Sequence, residues 1–301
     1  MGNLVETLRN EDVGKVVEHE PLSKHTTIKV GGPADIYVEP KGIDQLMKVM
    51  DIIAEEKADW FIIGRGSNLL VRDGGVSGVV INLAKGIDHL DIDGELIRAG
   101  GGYPLVKLAT VISKKGLSGL EFAGGIPGSV GGAVFMNAGA HGSDMSRIVT
   151  RARVLFPDGT LTWLSNVEMH FSYRSSVLQK KRGIVIEVEM KMSKGDKEQI
   201  IALMKKHKEY RRQTQPWSDP CCGSVFRNPL PDHAGALIEK AGLKGKQIGG
   251  AQISKMHGNF IVNKGGATAK DILDLIALVK SEMKRLYGID LKTEVEIIGK
   301  P

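Results

Sequence analysis

The chain has 301 residues, of which 42% are hydrophobic, 25% charged and 5% aromatic, with a formal net charge of +6. That length suggests two domains, or one large domain with sublobes, and the composition is that of an ordinary globular protein with a sizeable core. Scarce aromatics argue against a stacking platform for single-stranded nucleic acid, the mild positive charge favours anionic partners, and two adjacent cysteines, Cys221 and Cys222, exclude a disulfide framework.

The opening MGNLVETLRNED carries acids and no apolar stretch, unlike a secretory signal, and it lacks the Ser or Thr of a myristoylation motif. No run approaches the roughly 18 apolar residues of a membrane span. A cytoplasmic protein is the expectation.

From Asp35, DIYVEP reads as a strand, and Ile43, Leu46, Met47, Met50 and Ile53 then recur at helical spacing. Trp60–Ile63 reads as a buried strand leading into the loop GRGSN. GVVINL continues the strand pattern, and LDID with ELIRAG forms a hairpin with Asp93-Gly94 at its turn. Leu105, Leu108, Ala109 and Ile112 mark a second helix. Between Gly124 and Gly142 the chain reads GGIPGSVGGAVFMNAGAHG, with no Asp, Glu, Lys or Arg.

Beyond it, RARVLFPDGTLTWL is two strands around the turn Pro157-Asp158-Gly159, and GIVIEVEMKM alternates like a half-buried strand. DKEQIIALMKKHKEYRRQ is a helix whose basic run from Lys205 to Arg212 is either a solvated face or a phosphate site. The main boundary is placed near residue 205. The remainder is a compact α+β unit. HAGALIEKAG is a helix stopped by Gly242, and NFIVN is a strand. Thr268 and Asp271 open a helix carrying Ile272, Leu275, Ile276, Val279 and Leu286, Gly288 closes it, and TEVEIIG is a strand.

Glycines after a strand invite a dinucleotide fingerprint, but the pattern fails. After Gly64 and Gly66 the third position is Leu69, and the longer segment runs Gly125, Gly128, Gly131. No Walker pattern is present either. Bare amides can still cradle a diphosphate, with the Ser67 hydroxyl and Asn68 amide beside them and Pro127 opening a short helix toward the same phosphates. The ordinary alternative is tight turns where backbones cross. Eight histidines show no metal-binding spacing, so no metal is expected.

GRGSNLLV, GGIPGSVGGAVFMNAGA, FSYRSS, CGSVFRNP, GGAQIS with HGNFIVN, and TEVEIIG together resemble the UDP-N-acetylenolpyruvoylglucosamine reductase family. The blocks follow the family's order and span nearly the whole chain. The resemblance implies an α+β fold: a two-lobed FAD-binding domain of the vanillyl-alcohol-oxidase type, residues 1–95 and 96–205, plus a C-terminal α+β substrate-binding domain, residues 206–301. Only 50 residues separate Arg174 from Ser224, which implies the shorter family subtype lacking a tyrosine-bearing loop.

What the family does then becomes the expectation. NADPH reduces FAD and leaves, and the enolpyruvyl ether of UDP-N-acetylglucosamine takes its place, to be reduced to UDP-N-acetylmuramate for peptidoglycan. GRGSN contains no histidine or cysteine that would tether the flavin, so FAD is expected to bind non-covalently. The implied cofactor residues are Gly64, Arg65, Gly66, Ser67, Asn68 and Leu69 in the first loop. In the second they are Gly124, Gly125, Ile126, Pro127, Gly128, Ser129, Gly131, Gly132 and Ala133, with Asn137 and Gly139 beyond. The glycines are expected to keep side chains from colliding with the cofactor.

Arg174 matches the family's arginine, a fork suited to a carboxylate becoming an enolate. Ser224 matches the proton donor, and Glu294 the family's glutamate, expected to be protonated beside the substrate; otherwise it would pair with Lys292 or Arg285. Tyr173 would line the pocket. Lys206, Arg211 and Arg227 are candidates for the UDP phosphates, and Asn228, Gln252 and Asn259 for sugar or uracil. No nucleic acid, membrane or protein partner is expected. Two departures stand out: Glu296 where arginine is frequent, and His141 where an aromatic is frequent. Other flavin oxidoreductases of the same fold and a non-catalytic nucleotide or nucleic-acid binder remain as alternatives.

Overall fold

A computed structural model describes residues 2–301. The chain forms two compact units, neither continuous in sequence. The first holds the residues up to Glu18, Ile36–Arg65 and Gly78–Glu209; the second holds His19–Asp35, Gly66–Ser77 and Tyr210–Pro301.

The first unit has two cores. Helices α1 (Gly2–Asn10) and α2 (Ile43–Glu55) supply Leu4, Val5, Leu8, Leu46, Val49 and Ile53 to one of them. The predicted strand Trp60–Ile63 is present, parallel to Val76–Asn82, but only Ile63 is buried. It is the edge strand of a four-stranded sheet. Arg182 covers the Trp60 ring at 4.8 Å and donates to the Trp60 carbonyl, so a long polar side chain shields the edge while Trp60 and Ile62 pack partly against the core.

Helices α3 (Leu105–Lys114) and α4 (Val130–Phe135) belong to the other core. It lies on a five-stranded antiparallel sheet in the order Leu161–Ser165, Val149–Leu155, Ile184–Lys191, Leu96–Gly100, Leu90–Asp93. The central strand does not alternate as expected. Val185, Val188 and Met190 enter this core while Ile184 and Ile186 enter the other, so both of its faces are covered. The hairpin turn falls one residue later than predicted: Asp93 pairs with Leu96, leaving Gly94 and Glu95 as the loop, with Gly94 at φ +56°. The turn after Phe156 forms as read, with the Asp158 carboxylate accepting from Thr160 N–H at 2.9 Å.

Helix α5 (Lys197–Thr214) buries only Ile200 fully. In the second unit, α6 (Ala234–Lys240) and α7 (Ala269–Tyr287) share one core with Ile28, Val30 and Leu70. The sheet Gln247–Ile248, Ala251–Ile253, Ile261–Asn263 adds Ala251, Ile253 and Ile261 to it. The predicted capping box opens α7, and the Asp73 carboxylate adds bonds from Ala269 N–H and Lys270 N–H at 2.8 and 2.9 Å. The apolar stripe of α7 ends at Met283; Leu286, expected on it, is exposed. Glu296–Ile298 pairs in parallel with Leu69–Val71, joining the tail to the strand that follows GRGSN.

Candidate functional site

In the first unit, Gly64 lies against Ser129: a Cβ on Gly64 would fall 2.5 Å from the Ser129 hydroxyl. The loop end Gly64–Arg65 therefore adjoins Gly128–Ser129. Helix α4 does not begin at Pro127. Ser129 is its N-cap, its hydroxyl accepting from Gly132 N–H at 3.3 Å, because a 3-10 turn, Glu121–Gly125, occupies the preceding chain. Among the described residues, the N–H groups of Gly64, Arg65, Gly128 and Ser129 have no hydrogen-bond partner. Neighbouring backbone donors without partners are the kind of groups that can cradle the oxygens of a diphosphate. On that ground these residues fit the flavin nucleotide expected from sequence.

Three of these glycines are closed in by the protein itself. A Cβ on Gly124 would meet the Met204 side chain at 2.5 Å, on Gly131 the Gly101 carbonyl oxygen at 3.0 Å, and on Gly139 the Ser143 carbonyl oxygen at 2.5 Å. At these positions the protein already excludes a side chain, whatever binds nearby. The predicted basic helix α5 contributes to this closeness. Besides Met204, it presents His207, which stacks on His141 with ring centroids 4.0 Å apart. His141 thus fills an aromatic position by stacking.

Asn137 and Arg174 are linked through one turn. Ser172 and Ser175 exchange both backbone hydrogen bonds, leaving Tyr173 and Arg174 at the corner. Buried Asn137 donates to the Ser172 carbonyl at 3.0 Å and accepts from Ser146 N–H at 2.9 Å. Its amide therefore supports this turn. Arg174 adopts φ +53°, costing about 1–2 kcal/mol for a residue with a Cβ. Its guanidinium donates to the Gly139 carbonyl at 2.7 Å and lies over the Tyr173 ring at 5.1 Å. A strained backbone under a chemically capable side chain is an expected mark of a functional position.

In the second unit, Gly66, Ser224 and Glu294 are tied together by backbone bonds. Thr27 N–H donates to the Gly66 carbonyl at 3.1 Å, and its hydroxyl to the Cys221 carbonyl at 2.6 Å. Gly66 takes φ +62°, and a Cβ there would meet the His25 carbonyl oxygen at 2.1 Å. Asn68 donates from its side chain to the Glu294 carbonyl at 3.1 Å, and the Asn68 carbonyl accepts from Glu296 N–H at 3.0 Å. Glu294 N–H donates to the Val225 carbonyl at 2.8 Å, so Ser224 stands one residue from a rung that Glu294 itself forms. Arg285, a possible partner for Glu294, pairs with Glu282 at 2.6 Å instead. Glu296 is exposed.

Burial pushes the Cys222 thiol up to about 12 and raises Cys221 as well, so both are packing groups that stay protonated. Other expected ligand contacts resolve differently. Asn259 is buried and uses both ends of its amide on the Phe226 backbone. Asn228 accepts from Ala234 N–H at 3.1 Å at the start of α6. Gln252 donates to the Gly245 carbonyl and to Gln247. Within the protein, both ends of the Asn259 amide are engaged, whereas the bonds of Asn228 use its Oδ1 and those of Gln252 its Nε2. Lys206 is exposed and Arg211 donates to Gln215. Arg227 keeps a buried Nε without a partner, a donor suited to an anion. Leu69 is buried in its ladder.

Sequence reasoning missed Thr27 and the capping role of Ser129. A serine directly before an apolar helix start signals the cap; nothing local signals Thr27, whose partners lie 39 and 194 residues away.

The fold and the cradle define a flavin-nucleotide class of protein. The family model described as FAD binding domain matches residues 34–165. Alkyldihydroxyacetonephosphate synthase shares the fold at a TM-score of 0.50 and 17% identity, over 64% of this chain and 40% of that one. A second family model, UDP-N-acetylenolpyruvoylglucosamine reductase C-terminal domain, matches residues 215–298. Over 301 residues, and 100% of each chain, the protein is 63% identical to the UDP-N-acetylenolpyruvoylglucosamine reductase of Anoxybacillus flavithermus. The crystal structure of the corresponding reductase from Thermus caldophilus matches 94% of this chain and 98% of that one, with a TM-score of 0.81 and 39% identity. The chain belongs to the UDP-N-acetylenolpyruvoylglucosamine reductase family. Among the described residues, no helix is long and apolar enough to cross a membrane, and no cluster of His, Cys, Asp and Glu is arranged to hold a metal ion.

Proposed function

We propose that the protein reduces UDP-N-acetylglucosamine enolpyruvate to UDP-N-acetylmuramate with NADPH, using non-covalently bound FAD, in peptidoglycan precursor synthesis in the cytoplasm. Full-length identity of 63% to a reductase of that name carries this reading, and the unpartnered N–H groups beside Ser129 support the cofactor. In this reading residues 1–95 and 96–205 seat FAD, residues 206–301 bind substrate, and the chain is of the shorter subtype.

FAD, held by the amides of Gly64, Arg65, Gly128 and Ser129, would supply the hydride chemistry between NADPH and the β-carbon of the enolpyruvyl group. The protein's own residues do the rest. Gly64, Arg65, Gly128 and Ser129 offer their amides to the diphosphate. Arg174 presents its fork to the substrate carboxylate, stabilising the enolate charge that builds there. Ser224 gives its hydroxyl proton to the α-carbon: the O–H bond breaks, a C–H bond forms, and the alkoxide regains a proton from solvent. Glu294 in its protonated form avoids repulsion with that carboxylate and donates to it. Arg227, Arg211 and Lys206 serve the phosphates.

Anaerobic titration tests the assignment. NADPH should bleach the flavin absorbance, and the enolpyruvyl UDP-sugar should restore it within a turnover. Bleaching without recovery on adding that sugar would remove the substrate assignment.

A further inference from the structure

We infer that Asn259 is a positioning residue for Ser224, supplying with its side chain a rung of β-ladder that the backbone cannot provide. The inference rests on the proton-donor role proposed for Ser224. A hydroxyl delivers a proton usefully only if its oxygen is held within a few tenths of an ångström of its line of transfer. Ser224 follows Gly223, which sits at φ +77° and gives the chain freedom to turn. Before Gly223 the chain is held at Cys221 by the Thr27 hydroxyl; after it, the residues that follow the serine share in fixing it.

Those residues run between two neighbours. On one side Glu294 N–H donates to the Val225 carbonyl at 2.8 Å, and Arg227 N–H donates to the Lys292 carbonyl at 2.9 Å. On the other side Val225 N–H donates to the Asn259 carbonyl at 2.9 Å. The chain then turns away, with Phe260 N–H donating to the His257 carbonyl, so no further backbone is available to Phe226. The Asn259 amide takes that place. Its Oδ1 accepts from Phe226 N–H at 2.9 Å, and its Nδ2 donates to the Phe226 carbonyl at 2.8 Å. Both residues are buried, Asn259 at 4% exposure and Phe226 at 2%, so water cannot replace either bond. Asn259 N–H in turn donates to His257 Nδ1 at 3.1 Å, which fixes the asparagine's own backbone.

Removing the amide would leave Phe226 unpaired on one side, two residues from the serine, and let the serine drift. Asn259→Asp offers a finer test, because a neutral carboxylic acid carries one acceptor and one donor like the amide, whereas the carboxylate only accepts.

The experiment uses the FAD-loaded full chain and separates the two half-reactions by stopped flow. In Asn259→Ala, flavin reduction by NADPH should stay within about 2-fold of the parent, while reoxidation by the enolpyruvyl UDP-sugar slows about 100-fold. Asn259→Asp should recover reoxidation as pH falls and its side chain becomes neutral. The double variant Ser224→Ala/Asn259→Ala should reoxidise no more slowly than Ser224→Ala alone, and amide exchange in residues 224–227 should rise in Asn259→Ala without any ligand. Equal slowing of both half-reactions, or additive slowing in the double variant, overturns the inference, and so does normal reoxidation in Asn259→Ala when Ser224→Ala is slow. Normal reoxidation in Ser224→Ala overturns the proton-donor reading itself and the inference with it.

Discussion

The two units treat their backbone donors in opposite ways. In the first, Gly64, Arg65, Gly128 and Ser129 crowd together with their N–H groups unpartnered among the described residues. In the second, the N–H groups of Val225, Phe226, Arg227 and Glu294 around Ser224 are all engaged. The difference follows from the task proposed for each. A cradle for phosphate oxygens needs donors that are available but fixed in direction; a proton-donating hydroxyl needs a backbone that cannot move.

The loop GRGSN divides between these regimes, and its two glycines break the comparison most directly. Gly66→Ala would place a Cβ 2.1 Å from the His25 carbonyl oxygen at φ +62°, so neither the backbone nor its neighbour can yield. A loss of about 3 kcal/mol in urea unfolding is expected. Gly64→Ala meets only the Ser129 hydroxyl, which can rotate at the expense of its helix cap. That should cost about 1 kcal/mol. Equal losses would show that the two halves of the loop are equally rigid.

Arg174 sharpens the same contrast, since it is one of several non-glycine residues of the first unit held on a left-handed backbone. Arg174→Gly removes the guanidinium and relieves the left-handed backbone, so stability should stay within about 1 kcal/mol of the parent while turnover is lost. Arg174→Ala should lose turnover too and be the less stable of the pair by thermal melting.

A smaller effect concerns pH. Burial, and then the nearby Lys244 charge, lower the His257 pKa below the ordinary value of about 6.5. Below that value the unfolded chain binds the proton more readily than the folded one, so stability should fall as pH drops and level off below the folded pKa. The neutral ring is also needed to accept from Asn259 N–H at Nδ1. His257→Gln should flatten the melting temperature between pH 8 and pH 5; an unchanged slope would place the acid sensitivity elsewhere. Smallest of all, Cys221→Ala should leave flavin turnover nearly unchanged, and neither thiol should react with iodoacetamide at pH 8 without denaturant, because burial holds both protonated.

Much of the architecture was legible in the residues. The apolar spacing of α2 and α3, the Thr268–Asp271 cap of α7, its stop at Gly288 and the turn at Asp158-Gly159 all have local causes, and all formed. Misreadings occurred where a distant element changed a local environment. Ile184–Lys191 lost its alternation because two cores meet it. The bonds that the amides of Asn137 and Asn259 make to the backbones of Ser172 and Phe226 were not legible in the sequence either. Thr27 was invisible for the same reason.

By itself, the sequence determined the main helices and strands, and it placed glycine at close or left-handed passages such as Gly66, Gly94 and Gly288, since these are properties of neighbouring residues and of the missing Cβ. Its six family blocks likewise determined membership. Only the tertiary structure decided which amides remain available and which side chains support others. A hydrogen bond depends on who arrives within 3 Å, and across 226 residues, as for Asn68 and Glu294, only the folded chain settles that.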